Sequence, residues 1–235
     1  MGSTGLSNKP TSSSDKYTVF NSYEGSQKWM ANPKLTNSVE WQKGLTSEEM
    51  SAIGSYTGSG YGSINTELYT KPWDEMSPSM KKKAAALYDA INKFELKKGI
   101  TITRQCDSKI FGHKGMTLNQ IKNAITKNGG YIQNDGFMSF GTNDHGVAIA
   151  GSGVIISLKV PPSKGAVAYV NPISTHKGSS ENETIVNSNS VLKFDASSIK
   201  QVGNKVYVEA EWVGQAKQQT IDPKNKSKYS KKKQK

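Results

Sequence analysis

The 235-residue chain has one cysteine, Cys106, so no disulfide can form within it and a fold built on cross-links is excluded. Long apolar runs are missing too. No run, the one within Gly153-Val-Ile-Ile-Ser-Leu-Lys-Val160 included, approaches the ~20 residues a membrane-crossing helix requires. Core material is scarce, at 34% hydrophobic residues with 22 glycines and a mean hydropathy of −0.62. The histidines are only three, His113, His145 and His176. None pairs with another or with Cys106 at the two-to-four-residue spacing of structural zinc sites, so no metal is expected. Two other site types lack their signatures. Gly151-Ser-Gly153 is not the nucleophile elbow of a serine hydrolase, and Gly58-Ser-Gly-Tyr-Gly62 lacks the Lys-Ser/Thr that completes a phosphate-binding loop.

Acidic residues are outnumbered 19 to 31, giving a formal net charge of +12. Seven of the lysines fall between Pro223 and Lys235 with no acid among them, so only +5 remains for the rest. This tail, 223–235, reads as a solubilising basic extension, with attraction to nucleic acid or another anionic surface as its functional alternative. At the other end, residues 1–16 are rich in Ser, Thr and Gly and read as a disordered tail. They contain no charged region followed by an apolar block, so a secretory signal is expected to be absent or already removed.

Between the tails, 17–222 reads as one folded domain, a length that buries a single core. Its first half is helical in pattern. Thr46 and Glu49 have capping-box spacing ahead of Met50, Ile53 and Tyr56. Ser77-Pro78 predicts a helix start, with the helix running to Lys98 and stopped by Gly99. Thr117 and Gln120 predict a shorter helix through Lys127. Ile100 to Arg104 predicts a strand, and the chain beyond Gly130 carries short strand candidates at 136–140, 154–160, 166–170, 183–186, 191–194 and 205–212. Helices first and strands afterwards predict an α+β domain: a helical N-terminal half packed on a two-sheet, mostly antiparallel β core.

A dispersed set of residues could carry chemistry: Arg104 in Ile100-Thr-Ile-Thr-Arg-Gln-Cys106, Ser139 in Asp135-Gly-Phe-Met-Ser-Phe-Gly141, and Glu181 and Glu183 in Gly178-Ser-Ser-Glu-Asn-Glu-Thr-Ile-Val186. Acids at i and i+2 on extended chain point to one side, so the two glutamates could converge on a ligand. Arginine offers a planar, permanently charged fork for phosphate oxygens. Spacing alone leaves the bland alternative open, in which Arg104 makes a salt bridge and the glutamates lie on a solvated strand edge.

The order of these pieces resembles the mono-ADP-ribosyltransferase toxins, in the branch of the clostridial Rho-modifying exoenzymes and the enzymatic subunits of binary actin-modifying toxins. That family runs from a strand arginine to an aromatic-x-Ser-Thr-Ser segment, then to a Glu- or Gln-x-Glu pair ahead of a strand ending near Lys-Phe. Here Arg104, Phe137-Met-Ser139, Glu181-Asn-Glu183 and Val191-Leu-Lys-Phe194 follow in that order, with steps of roughly 35 and 42 residues between the first three. Trp41, Tyr56-Thr57, Tyr61, Ile64-Asn65 and Leu68 resemble the family's nucleotide-side helix and loop. Leu158 to Val170 with Ile173-Ser174 resembles the strands leading into its target-recognition loop. Two departures stand out. Ser139-Phe140-Gly141 keeps only the first serine of Ser-Thr-Ser, and no arginine occurs between Ala148 and Gly153, where actin-modifying relatives carry one.

The resemblance implies an NAD-dependent mono-ADP-ribosyltransferase domain over 17–222. Glu183 would be the catalytic glutamate, Ser139 would orient it, and Glu181 would direct transfer to an arginine side chain of a target protein, possible targets including actin and small GTPases. Arg104 and Gln105 with Tyr56, Tyr61 and Asn65 would bind NAD, the co-substrate, and His176 and Lys177 would contact the target. A monomer is expected, acting as a secreted or delivered effector inside a target cell, with NAD glycohydrolase activity on the side. The competing expectation is a catalytically silent binding module of the same fold that works through its basic tail.

Overall fold

The computed structural model of the chain describes residues 16–142, 147–148, 153–175 and 182–216. Glu181, His145, His176, Lys177 and the tail 223–235 lie outside the described residues. The architecture is the α+β arrangement expected, with the helices in the N-terminal half. After a short strand β1 (Tyr17–Thr18) come helices α1 (Tyr23–Met30), α2 (Ser38–Lys43), α3 (Ser47–Ser55), α4 (Tyr61–Thr70) and α5 (Pro78–Asn92). Then follow β2 (Glu95–Leu96), β3 (Gly99–Cys106), α6 (Leu118–Lys127), β4 (Tyr131–Asn134), β5 (Met138–Gly141), β6 (Val147–Ala148), β7 (Val154–Val160), β8 (Ser163–Lys164), β9 (Val167–Tyr169), β10 (Glu183–Val186), β11 (Ser190–Val202) and β12 (Lys205–Gln215).

The helix starts follow from their caps. The Thr46 hydroxyl accepts from the Glu49 N–H and the Glu49 carboxylate accepts from the Thr46 N–H; Thr117 and Gln120 repeat the arrangement for α6. α5 starts at Pro78 as expected, although Ser77 does not cap it, since its N–H and hydroxyl both donate to the Glu67 carboxylate. Its end differs from expectation. The helix stops at Asn92, because Phe94 and Leu96 are buried on either side of exposed Glu95 and therefore follow the period of a strand. Gly99 opens β3 instead of closing a helix, and a Cβ there would lie 2.8 Å from the Lys16 carbonyl oxygen, so glycine permits β1 to run alongside.

The described strands form one continuous ten-stranded sheet and a separate β2–β8 pair. The main path runs β4-β11-β12-β7-β3-β5-β10-β9, with β1 and β6 attached to β3. Most neighbours are antiparallel, while β12–β7, β1–β3 and β3–β6 are parallel. On β7, Val154, Ile156, Leu158 and Val160 are buried, and they face Cys106, Arg104, Ile102 and Ile100 of β3 in register. An arginine therefore stands in an otherwise apolar row on the core side of the sheet.

Trp41 belongs to that core. It is buried, meets Phe94 edge-to-face at 5.4 Å, and donates from its indole N–H to the Ala90 carbonyl at 2.7 Å.

Candidate active site

β5 and β10 are paired with Ser139 opposite Ile185 and Gly141 opposite Glu183. Because side chains alternate along a strand, Ser139 and Glu183 share a face and meet on the diagonal. The Ser139 hydroxyl donates to Glu183 Oε1 at 2.8 Å. The second carboxylate oxygen, Oε2, accepts from the Ser174 hydroxyl at 3.0 Å. Both oxygens of a carboxylate only 6% exposed are thus held by hydroxyl donors from two directions. Gly141 sits between Thr103 of β3 and Glu183 in one lateral row across three strands, and contributes no side chain to that row.

Arg104 closes the arrangement from β3. Its Nη1 donates to the Ser139 carbonyl oxygen at 2.7 Å, so the guanidinium and the Glu183 carboxylate are tied to the same residue of β5. Its charge is felt by its neighbours. Burial pushes the Tyr56 phenol well up, against the opposing pull of Arg104, Asn65 and Ser139. The Cys106 thiol is likewise raised by burial and lowered in part by Arg104.

The residues expected on the nucleotide side divide into two groups. Asn65 is a structural clip, its amide nitrogen donating to the Phe137 carbonyl at 3.0 Å and its oxygen accepting from the Phe137 N–H at 2.9 Å. Tyr56 is buried, accepts from Asn65 at 3.3 Å, and packs edge-to-face on Phe137 at 5.7 Å. Phe137 and Phe140 are themselves core residues. The approach of α4 to the β4–β5 turn is close, since a Cβ on Gly136 would meet Asn65 Oδ1 and the Tyr69 hydroxyl at 2.7 Å. Tyr61, by contrast, is 51% exposed. Gln105 points to the face opposite Arg104, where its side-chain oxygen accepts from Lys205 at 3.2 Å.

One geometric expectation is corrected. Asn182 has φ +48°, in the left-handed region, and β10 begins only at Glu183. The extended backbone that the same-side argument assumes is therefore not found at Asn182, while Glu181 lies outside the described residues.

The sequence did not single out Ser174 as a site residue, although it lies in the Ile173-Ser174 stretch compared above. Thr175 was missed as well. Its N–H donates to the Thr57 hydroxyl at 3.1 Å, fixing the segment after β9 to the π-helical turn Tyr56–Gly60 between α3 and α4. A groove of about 470 Å³ lies elsewhere, between α1, α2 and the chain after β9, and is lined by Tyr23, Gln27, Gln42, Tyr169 and Asn171 among others.

The sequence profile of the ADP-ribosyltransferase exoenzymes matches residues 32–216. The chain belongs to this family. As an ADP-ribosyltransferase exoenzyme it is a transferase that uses NAD as substrate. Among solved structures, Plx2a, an ADP-ribosyltransferase toxin from Paenibacillus larvae, is 28% identical, with 83% of this chain and 99% of that one aligned at a TM-score of 0.69. C3stau2 from S. aureus, solved with NAD, is 18% identical over 85% of this chain and 99% of its own, with a TM-score of 0.64. BECa, an ADP-ribosylating toxin of a binary enterotoxin of C. perfringens, is 21% identical; 84% of this chain aligns with 50% of it, at a TM-score of 0.70. No curated protein matches the chain in sequence. Among the described residues no helix is long and apolar enough to cross a membrane, and no group of three or more His, Cys, Asp or Glu could hold a metal ion.

Proposed function

We propose that this exoenzyme transfers ADP-ribose from NAD to an arginine side chain of a target protein, with Glu183 as its catalytic carboxylate. One observation carries the assignment: Glu183 is held at both oxygens by Ser139 and Ser174, while Arg104 is bound to the same residue, Ser139. A carboxylate fixed in this way has its orientation set before substrate arrives, which is what electrostatic stabilisation of a developing cation requires.

The bond between nicotinamide and the ribose anomeric carbon breaks with its electron pair leaving on nicotinamide, and positive charge develops on the ribose. Glu183 stabilises that charge more than it stabilises the ground state. Arg104, with its bidentate fork, grips the dinucleotide's phosphate oxygens or supports its nicotinamide end. Tyr61 offers an exposed aromatic face to the nucleotide. Tyr56 and Asn65 act from behind, holding the Phe137 wall in place.

Glu181 then orients the incoming guanidinium through paired hydrogen bonds and takes the proton it loses as the new C–N bond forms. Water in the acceptor's place gives NAD hydrolysis. His176 and Lys177, close by in sequence, contact the target protein. The chain acts in this reading as an effector inside a target cell.

The test is incubation with isotope-labelled NAD and a cell lysate, followed by mass spectrometry of the modified peptides. Label is expected on arginine, and Glu181→Gln is expected to lower arginine transfer more than nicotinamide release. Label on another residue type or on nucleic acid would contradict the acceptor assignment.

A further inference from the structure

Glu183 enters its site directly after a residue whose backbone is in the left-handed region, Asn182 at φ +48°. Asparagine tolerates this conformation better than most residues, but so does glycine, and the backbone alone does not explain the side chain found here. That side chain is fully buried. Its amide nitrogen donates to the Tyr23 carbonyl at 2.9 Å and to the Ser26 hydroxyl, both on α1, and its oxygen accepts from the Tyr169 hydroxyl at 2.9 Å. An amide has two N–H donors and an acceptor oxygen, and all of these are engaged.

The surroundings are arranged to receive it. Ser26 is itself held by donating to the Tyr23 carbonyl at 2.9 Å. Burial raises the Tyr169 phenol, which therefore stays protonated and remains a donor. The main chain is pinned on both sides, since Thr142 N–H donates to the Asn182 carbonyl at 3.3 Å and Val170 N–H to the Glu183 carbonyl at 3.0 Å. α1, residues 23–30, lies ahead of the segment 32–216 that the family profile matches. Tyr169, the other half of the clamp, lies within that segment.

We propose that Asn182 is a positioning residue for Glu183: clamped between α1 and Tyr169, it fixes the direction in which the glutamate enters the site. Loosening the clamp leaves Glu183 in the sequence but lets its carboxylate wander from its hydroxyl donors. A displacement of an ångström there lowers the rate while hardly changing how NAD binds. The inference rests on the reading of Glu183 as the catalytic carboxylate.

The test measures nicotinamide release from NAD, with kcat and KM normalised to the folded fraction at the assay temperature. The variants are Asn182→Ala, Asn182→Gly, Tyr169→Phe and Glu183→Gln, with Asn182→Gly also combined with Ser139→Ala. Asn182→Ala and Asn182→Gly are expected to lose about tenfold or more in kcat with KM within about twofold, and Tyr169→Phe, the mildest change, a few-fold. Asn182→Gly keeps the backbone conformation accessible without the clamp, so a wild-type kcat in that variant would overturn the proposal. The Asn182→Gly and Ser139→Ala losses are expected to be less than multiplicative, because both act through one carboxylate; fully multiplicative losses would overturn it as well. A Glu183→Gln variant as active as wild type would instead sink the catalytic assignment, a result separable from the other two.

Discussion

At the scale of single residues, the site depends on hydrogen bonds to one carboxylate. Ser139→Ala removes the donor to Glu183 Oε1 and leaves Ser174 on Oε2. A hydrogen bond to a charged group is worth about 1.5–3 kcal/mol, so kcat for nicotinamide release should fall about 10–100-fold with little change in KM for NAD. Steady-state kinetics reads this directly; a loss confined to KM would mean that Ser139 binds substrate and does not orient Glu183. Arg104, Ser139 and Glu183 were legible in the sequence because each sits in a local pattern whose order could be compared with a family. Ser174 and Asn182 were not, since their roles come from partners 9, 13 and 156 residues away along the chain. Asn65 was picked from the sequence as a candidate for the nucleotide side, and its part as a clip on the Phe137 backbone shows only in the docking of α4.

At the scale of elements, local chemistry was readable where it is local. The capping boxes of α3 and α6 lie within four consecutive residues each, and both formed as expected. The end of α5 was misread because lysines and a following glycine make a plausible helix terminus, whereas the burial of Phe94 and Leu96 is imposed by the sheet. α1 and α2 are eight and six residues long, too short to show a periodic pattern. The cap of α3 also carries a pH dependence. Burial pushes the Glu49 carboxyl up, but hydrogen bonds from Lys93 and from the Thr46 backbone outweigh it and hold the group below its ordinary 4.5. A depressed carboxylate contributes stability above its unfolded value and loses that contribution as pH falls through the lower folded value. Glu49→Gln should therefore be less stable than wild type at neutral pH, by less than about 1 kcal/mol given the half-exposed Lys93 partner, and the gap should close below pH 4.5. Thermal unfolding from pH 3 to pH 7 checks it, and a gap that persists at the acid end would show that the ion pair is not its source.

At the scale of the whole molecule, helices before strands gave the α+β class, but the strand order did not follow from sequence. β9–β10 and β11–β12 are sequential neighbours on the path, but most other sequential strands are apart: β4 lies at one end beside β11, and four strands separate β10 from β11. Such pairings depend on which apolar faces find each other, and the short strands β7, β9 and β10 carry no local mark of their partners. The fold brings β3, β5 and β10 side by side, so that residues 104, 139 and 183 become neighbours. In the proposed reaction this junction cleaves the nicotinamide–ribose bond through the Glu183 carboxylate. Its most direct test is nicotinamide release from NAD by the wild-type chain and by Glu183→Gln, a substitution that keeps the shape of the side chain and removes its charge. Turnover by the wild type and a loss of about a hundredfold or more in the variant are expected. Equal rates, or no release by a folded wild-type chain, would contradict it.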